Sequence, residues 1–84
     1  MTKQEVKDWM IKTLIDKFGL FELEIKDEST LEDLNVDSLE KIELVMEIEE
    51  HFGIANINDE DVQMGITIEG IVQLVYDLQK DKNH

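Results

Sequence analysis

The stretch DSLEKIELVMEIEEHFG, Asp37 to Gly53, contains a helix start, a helical apolar pattern and a helix stop in one run. Asp37 followed three residues on by Glu40 matches a capping box with an acid in the cap, where each side chain accepts the other's backbone N–H. Leu39, Ile42, Val45, Met46 and Phe52 recur at helical spacing and mark the expected buried side, with Leu44 and Ile48 alongside. Gly53 stops the run, because glycine enters the left-handed region at little cost. The expectation is a helix over about residues 38–52, entered from a loop, with Ser38 in its first turn.

The same signals recur on either side. Thr2 and Glu5 form another capping box, and Val6, Trp9, Met10, Thr13 and Leu14 follow helical spacing, widened by Ile11, Ile15 and Phe18, until Gly19. That predicts a first helix over about residues 3–18. The connection from Gly19 to Asp37 contains Leu20, Phe21, Leu23, Ile25, Leu31, Leu34 and Val36, too many apolar residues for a free linker, so it is expected to pack on the core. Leu23 and Ile25 alternate with acids, yet no second strand is evident to pair with them, so the segment reads as loop. Beyond Gly53, Asn58 and Asp59 can cap a short third helix over about residues 59–64, stopped by Gly65. Thr67 caps a fourth over about residues 68–79, where Ile68, Ile71, Val72, Val75 and Leu78 keep a period nearer four than two. Lys80 to His84 reads as a frayed tail. The fold class expected is all-α, a four-helix bundle with three longer helices, one short one and a long first loop, forming a single domain over residues 1–84.

Composition narrows function. A chain of 84 residues buries only roughly 60 to 65 % of its unfolded surface, which leaves room for packing or one slender apolar guest but not a large enclosed active site. Its formal net charge is −13, from 21 acidic and 8 basic residues. That balance argues against nucleic acid and anionic membranes as partners; it either draws in basic protein surfaces or serves only to keep a small chain soluble. There is no cysteine, so the chain supplies no disulfide, thiolate metal site or nucleophilic thiol. No apolar stretch approaches the ~20 residues that span a bilayer, and no secretory signal pattern is present. The expected location is the cytoplasm and the expected state a monomer.

Catalytic readings of Ser38 fail on distance. Of the two histidines, His51 lies 13 residues further along the same predicted helix, which is ~20 Å away. His84 is the last residue of the tail, and no G-x-S-x-G elbow exists. Asp33, Asn35 and Asp37 imitate the opening of an EF-hand loop, but Ser38 then stands where glycine is needed and Leu44 where the bidentate glutamate belongs. No metal site and no catalytic residue is expected. A serine at a helix N-terminus can act as a cap, or as an anchor for an anionic group favoured by the free N–H groups there.

The run DLNVDSLEKIELVMEIEEHFGI, Asp33 to Ile54, resembles the acyl carrier protein family. The resemblance rests on the D-S-L triplet Asp37, Ser38 and Leu39, the E-L-V-M run Glu43 to Met46, and EIEEHFGI after it. It continues through INDEDV, Ile57 to Val62, and the T-I-x-x-I-V pattern from Thr67, so it spans nearly the whole chain. It departs at Asn35, where the family often has glycine, and in a loop after Gly53 without the common proline.

The resemblance implies a non-enzymatic carrier. Ser38 would receive 4′-phosphopantetheine from coenzyme A through a Mg²⁺-dependent phosphopantetheinyl transferase, with Asp37 and Leu39 flanking the attachment point. Acyl groups would ride on the arm as thioesters between enzymes of fatty acid, polyketide or related biosynthesis; a D-alanyl or other aminoacyl carrier is the alternative. A third reading, from another class, is an acidic interaction module with Ser38 as a plain cap. The resemblance further implies docking of basic patches on partner enzymes by Asp37, Glu40, Glu43, Glu49, Glu50, Asp59 and Glu60. It also implies an acyl pocket drawn from Ile42, Val45, Met46, Ile57, Val62, Ile66, Ile71 and Val75, all of which serve equally as plain core.

Overall fold

The computed structural model describes residues 2–54, 57, 62 and 65–82, the last two by backbone alone. Regular structure there consists of three α-helices, α1 (Lys3–Phe18), α2 (Ser38–Phe52) and α3 (Ile68–Lys82), and a 3-10 turn at Glu22–Glu24. The chain is all-helical: no strand occurs among the described residues, which hold one isolated bridge, Thr30 with Thr67. The short helix expected at about residues 59–64 lies, Val62 apart, outside the described residues. The helical backbone of α3 continues through Lys82, so residues 80–82 are not the frayed tail expected of them.

Local hydrogen bonds explain where the helices begin. At α1, Glu5 N–H donates to Thr2 Oγ1 at 3.2 Å and Thr2 N–H donates to Glu5 Oε1 at 2.9 Å. The Thr2 backbone N–H, with its hydroxyl, holds the Glu5 carboxyl below the usual carboxylate range. Gly19 ends α1 at φ 69°, and Leu20 N–H reaches back to the Leu14 carbonyl. At α3, Gly70 N–H donates to Thr67 Oγ1 at 3.0 Å. Two more first-turn donors of α3, the N–H groups of Ile68 and Glu69, reach the carbonyls of Ser29 and Asp27 at 2.8 and 3.0 Å. The long loop thus supplies acceptors that a helix start otherwise lacks. Lys7 pairs with Asp27 at 2.6 Å and Lys3 with Glu69 at 2.5 Å, fastening α1 to the same region.

The core collects Val6, Met10 and Leu14 of α1, Leu44, Ile48 and Phe52 of α2, and Ile68, Ile71, Val72 and Val75 of α3. The loop contributes Ile25, Leu31, Leu34 and Val36, all buried, but its Phe21 and Leu23 are exposed, so the expected packing holds only for part of it. A 3-10 turn has three residues per turn, and turning Ile25 inward turns Leu23 outward.

A second correction concerns α2. Leu39, Ile42 and Met46 were expected on its buried side, yet they are 65, 53 and 61 % exposed, and Val45 is half-buried. The buried stripe is Leu44, Ile48 and Phe52. Glu43 and Glu50 fall on the same arc of the helix as Leu39 and Met46, so burying that arc would desolvate carboxylates. Around the other side, Trp9 stacks on His51 with ring centroids 4.5 Å apart and meets Phe52 edge-on at 5.0 Å, while Lys17 pairs with Glu47 at 3.2 Å. These contacts join α1 to the second half of α2.

Replacing Thr2 by alanine removes the hydroxyl from the α1 box and is expected to cost about 1 kcal/mol in urea unfolding, with Thr2→Asn close to wild type. An unchanged midpoint in Thr2→Ala would contradict a role for this cap in stability.

Candidate functional site

The residues that lead into α2 form a small, self-closed unit. Thr30 and Asp33 make a box of their own: Asp33 N–H donates to Thr30 Oγ1 at 3.0 Å and Thr30 N–H to Asp33 Oδ2 at 3.1 Å. One turn later Asn35 stands at φ 61°, the one non-glycine residue with positive φ among the described residues. Val36 N–H then reaches the Leu31 carbonyl at 2.9 Å and Asn35 N–H the Glu32 carbonyl at 3.0 Å. This paired closure is a Schellman motif, and Asn35 fills the left-handed place usually held by glycine. Leu31, Leu34 and Val36 are buried beneath it, which fixes the direction in which the chain enters α2.

Asp37 and Glu40 complete the entry. Asp37 Oδ1 accepts Glu40 N–H at 2.8 Å, and Glu40 Oε1 accepts Asp37 N–H at 3.2 Å. The helix start is therefore capped without Ser38. The Ser38 hydroxyl, on an exposed residue, takes no hydrogen-bond partner among the described residues, nor do the N–H groups of Ser38 and Leu39. An exposed hydroxyl beside unpaired helix N–H groups suits the attachment of an anionic group.

It does not suit catalysis. Both carboxylates flanking Ser38 are turned onto backbone N–H groups, and His51 is stacked on Trp9 in the last turn of α2. Asp33 and Asp37 each face their own turn rather than a shared centre, which accounts for the failed calcium pattern.

The remaining candidates divide. Glu49 is half-buried and accepts Ile57 N–H at 3.2 Å. Glu43 and Glu50 are exposed and take no ion-pair partner among the described residues. Asp59 and Glu60 lie outside the described residues. Of the proposed pocket residues, Ile57, Val62, Ile71 and Val75 are buried and Val45 and Ile66 half-buried. Ile42 and Met46 are exposed instead, because α2 turns its other stripe inward. With Leu39 they form an apolar row on the surface next to Glu43 and Glu50. The spacing i, i+3, i+7 with interspersed acids is the signal for that row, and the same helical spacing also fits a core stripe.

Comparison with known proteins gives a consistent picture. The family model described as "Phosphopantetheine attachment site" matches residues 8–75. The acyl carrier protein of Chloroherpeton thalassium is 36% identical over 81 residues, covering 95% of this chain and 100% of the relative. That of Chlorobium phaeovibrioides is 36% identical over 76 residues, covering 89% and 96%. That of Rubrobacter xylanophilus is 36% identical over 80 residues, covering 94% and 98%.

The turn that presents Ser38 can be tested directly. Asn35→Gly is expected to keep stability within about 1 kcal/mol, whereas Asn35→Val, β-branched at positive φ, is expected to lose about 1–2 kcal/mol in chemical unfolding. Equal stability of the two variants would contradict the left-handed role of this residue.

Proposed function

The chain belongs to the phosphopantetheine-attachment family of acyl carrier proteins, and on that premise we propose that Ser38 is the residue that carries its 4′-phosphopantetheine. As a member of that family it is a carrier and not an enzyme. The observation that carries the assignment is the spare hydroxyl of Ser38: Asp37 and Glu40 cap α2 between them, so the serine has no structural duty. The residues present fit the group. A phosphodiester on Ser38 would meet the unpaired N–H groups of the first turn and the positive end of the helix dipole. When bound, the group supplies the thiol that this cysteine-free chain lacks and on which acyl groups are carried.

The exposed row Leu39, Ile42 and Met46, with Glu43 and Glu50 beside it, is the docking face in this proposal. An enzyme surface with an apolar centre and basic rim complements it, the acids speeding association and the apolar row contributing area. Asp37, Glu40 and Glu49 add negative potential while remaining bound to backbone N–H groups, and Asp59 and Glu60 extend the same charge in the sequence. Val45, Ile57, Val62, Ile66, Ile71 and Val75 are the proposed interior neighbours of an acyl guest. The cargo we propose is a growing acyl chain of fatty acid or polyketide assembly, handled by a monomeric cytoplasmic carrier. The relatives are named acyl carrier proteins, which favours this over an aminoacyl cargo. No helix among the described residues is long and apolar enough to cross a membrane.

Incubation with coenzyme A, Mg²⁺ and a broad-specificity phosphopantetheinyl transferase tests the assignment by intact mass. The wild-type chain is expected to gain one phosphopantetheine and Ser38→Ala none. No gain in the wild type, or an equal gain in the variant, would overturn it.

A further inference from the structure

One carboxylate joins the long loop, the first turn of α2 and the approach to α3. Glu32, in the loop, accepts Gly65 N–H on Oε1 at 2.8 Å and faces Lys41 Nζ from Oε2 at 3.2 Å. Lys41 stands one turn on from Ser38, on the inward stripe of α2 that continues through Leu44, Ile48 and Phe52. Its side chain is only 18 % exposed. Gly65, at φ 91°, leads through half-buried Ile66 into α3. The contact therefore bridges the loop, the first turn of α2 that begins at Ser38, and the approach to α3.

The interior behind this contact is filled. Leu31, Leu44, Ile68 and Ile71 are each about 1 % exposed, so a guest enters only if elements part. The contacts around the start of α3 are unevenly distributed. The start of α3 is bound to the loop by Ile68 N–H on Ser29, Glu69 N–H on Asp27, Gly65 N–H on Glu32 and the Thr30–Thr67 bridge. Loop and α3 start are thus tied to each other by backbone contacts. Across from them, the first turn of α2 is held to the loop through space by the Lys41–Glu32 pair.

Resting on the carrier reading above, we infer that the Lys41–Glu32–Gly65 contact is a latch across the entrance from Ser38, and that it sets how readily a guest attached at Ser38 passes between α2 and the start of α3. Glu32 and Lys41 are positioning residues in this account. The charge state agrees with it: the Gly65 N–H, and after it the Lys41 ammonium, hold the Glu32 carboxyl below the usual carboxylate range, so the latch is charged at neutral pH. Glu32→Ala removes both contacts, while Lys41→Met removes the pair but keeps an apolar stem on the inward stripe.

The test loads Ser38 of wild type, Glu32→Ala and Lys41→Met with acetyl- or octanoyl-phosphopantetheine and measures how fast hydroxylamine strips each acyl group. The ratio of the acetyl rate to the octanoyl rate reports shielding of the longer chain. Both variants are expected to raise that ratio roughly fivefold, the response of an opening equilibrium to loss of one charged hydrogen-bonded contact. They should do so even if the wild-type ratio is near unity, which is the result of a closed latch. A wild-type ratio well above one that neither variant changes, or that either lowers, overturns the latch alone and leaves the interior guest standing. A ratio near unity in all three proteins overturns both the latch and the interior guest.

Discussion

Asp37 and Glu40 each accept the other's backbone N–H, and the geometry of the α2 entry around Ser38 follows from this exchange. It starts α2 at a fixed residue and consumes the two nearest carboxylates. It leaves the hydroxyl between them with no cap to make. The turn before it works by the same logic, with Thr30 and Asp33 paired and Asn35 in the left-handed region. The serine is thereby held at a defined place, on a short rigid entry anchored by Leu31, Leu34 and Val36.

The charge of the chain is divided between internal and external use. Lys3, Lys7, Lys17 and Lys41 pair with Glu69, Asp27, Glu47 and Glu32, contacts that join helices to one another or to the long loop. Solvent-accessible pairs such as Lys3–Glu69 and Lys17–Glu47 contribute under about 1 kcal/mol each, so their role is more to orient segments than to hold the fold against unfolding. Glu43 and Glu50, two of the acids with no ion-pair partner among the described residues, stand beside an uncovered apolar row. A partner with basic and apolar surface together would complement a face of that composition, as the proposed docking role requires.

Much of this was legible in the sequence because it is local. A capping box spans four residues, and a left-handed glycine declares a helix end, so Thr2, Asp37, Gly19 and Gly53 could be read in place. The Thr30–Asp33 box was less legible, because an aspartate stands where the capping-box pattern has glutamate or glutamine. The inward face of α2 was not legible. Its apolar residues run most of the way around the helix, and only packing against α1 and α3 selects Leu44, Ile48 and Phe52 over Leu39, Ile42 and Met46. Likewise the contacts of Lys17 with Glu47 and of Glu32 with Gly65 join residues about thirty apart, beyond any local pattern.

The central claim is that the cap of α2 and the anchor are separate residues. Thermal and urea unfolding of the unmodified chain, comparing Ser38→Ala with Asp37→Ala, tests it most directly. The account predicts that Ser38→Ala stays within about 0.5 kcal/mol of wild type while Asp37→Ala loses about 1 kcal/mol. A loss in Ser38→Ala as large as that in Asp37→Ala would show that the serine holds the helix, and would contradict it.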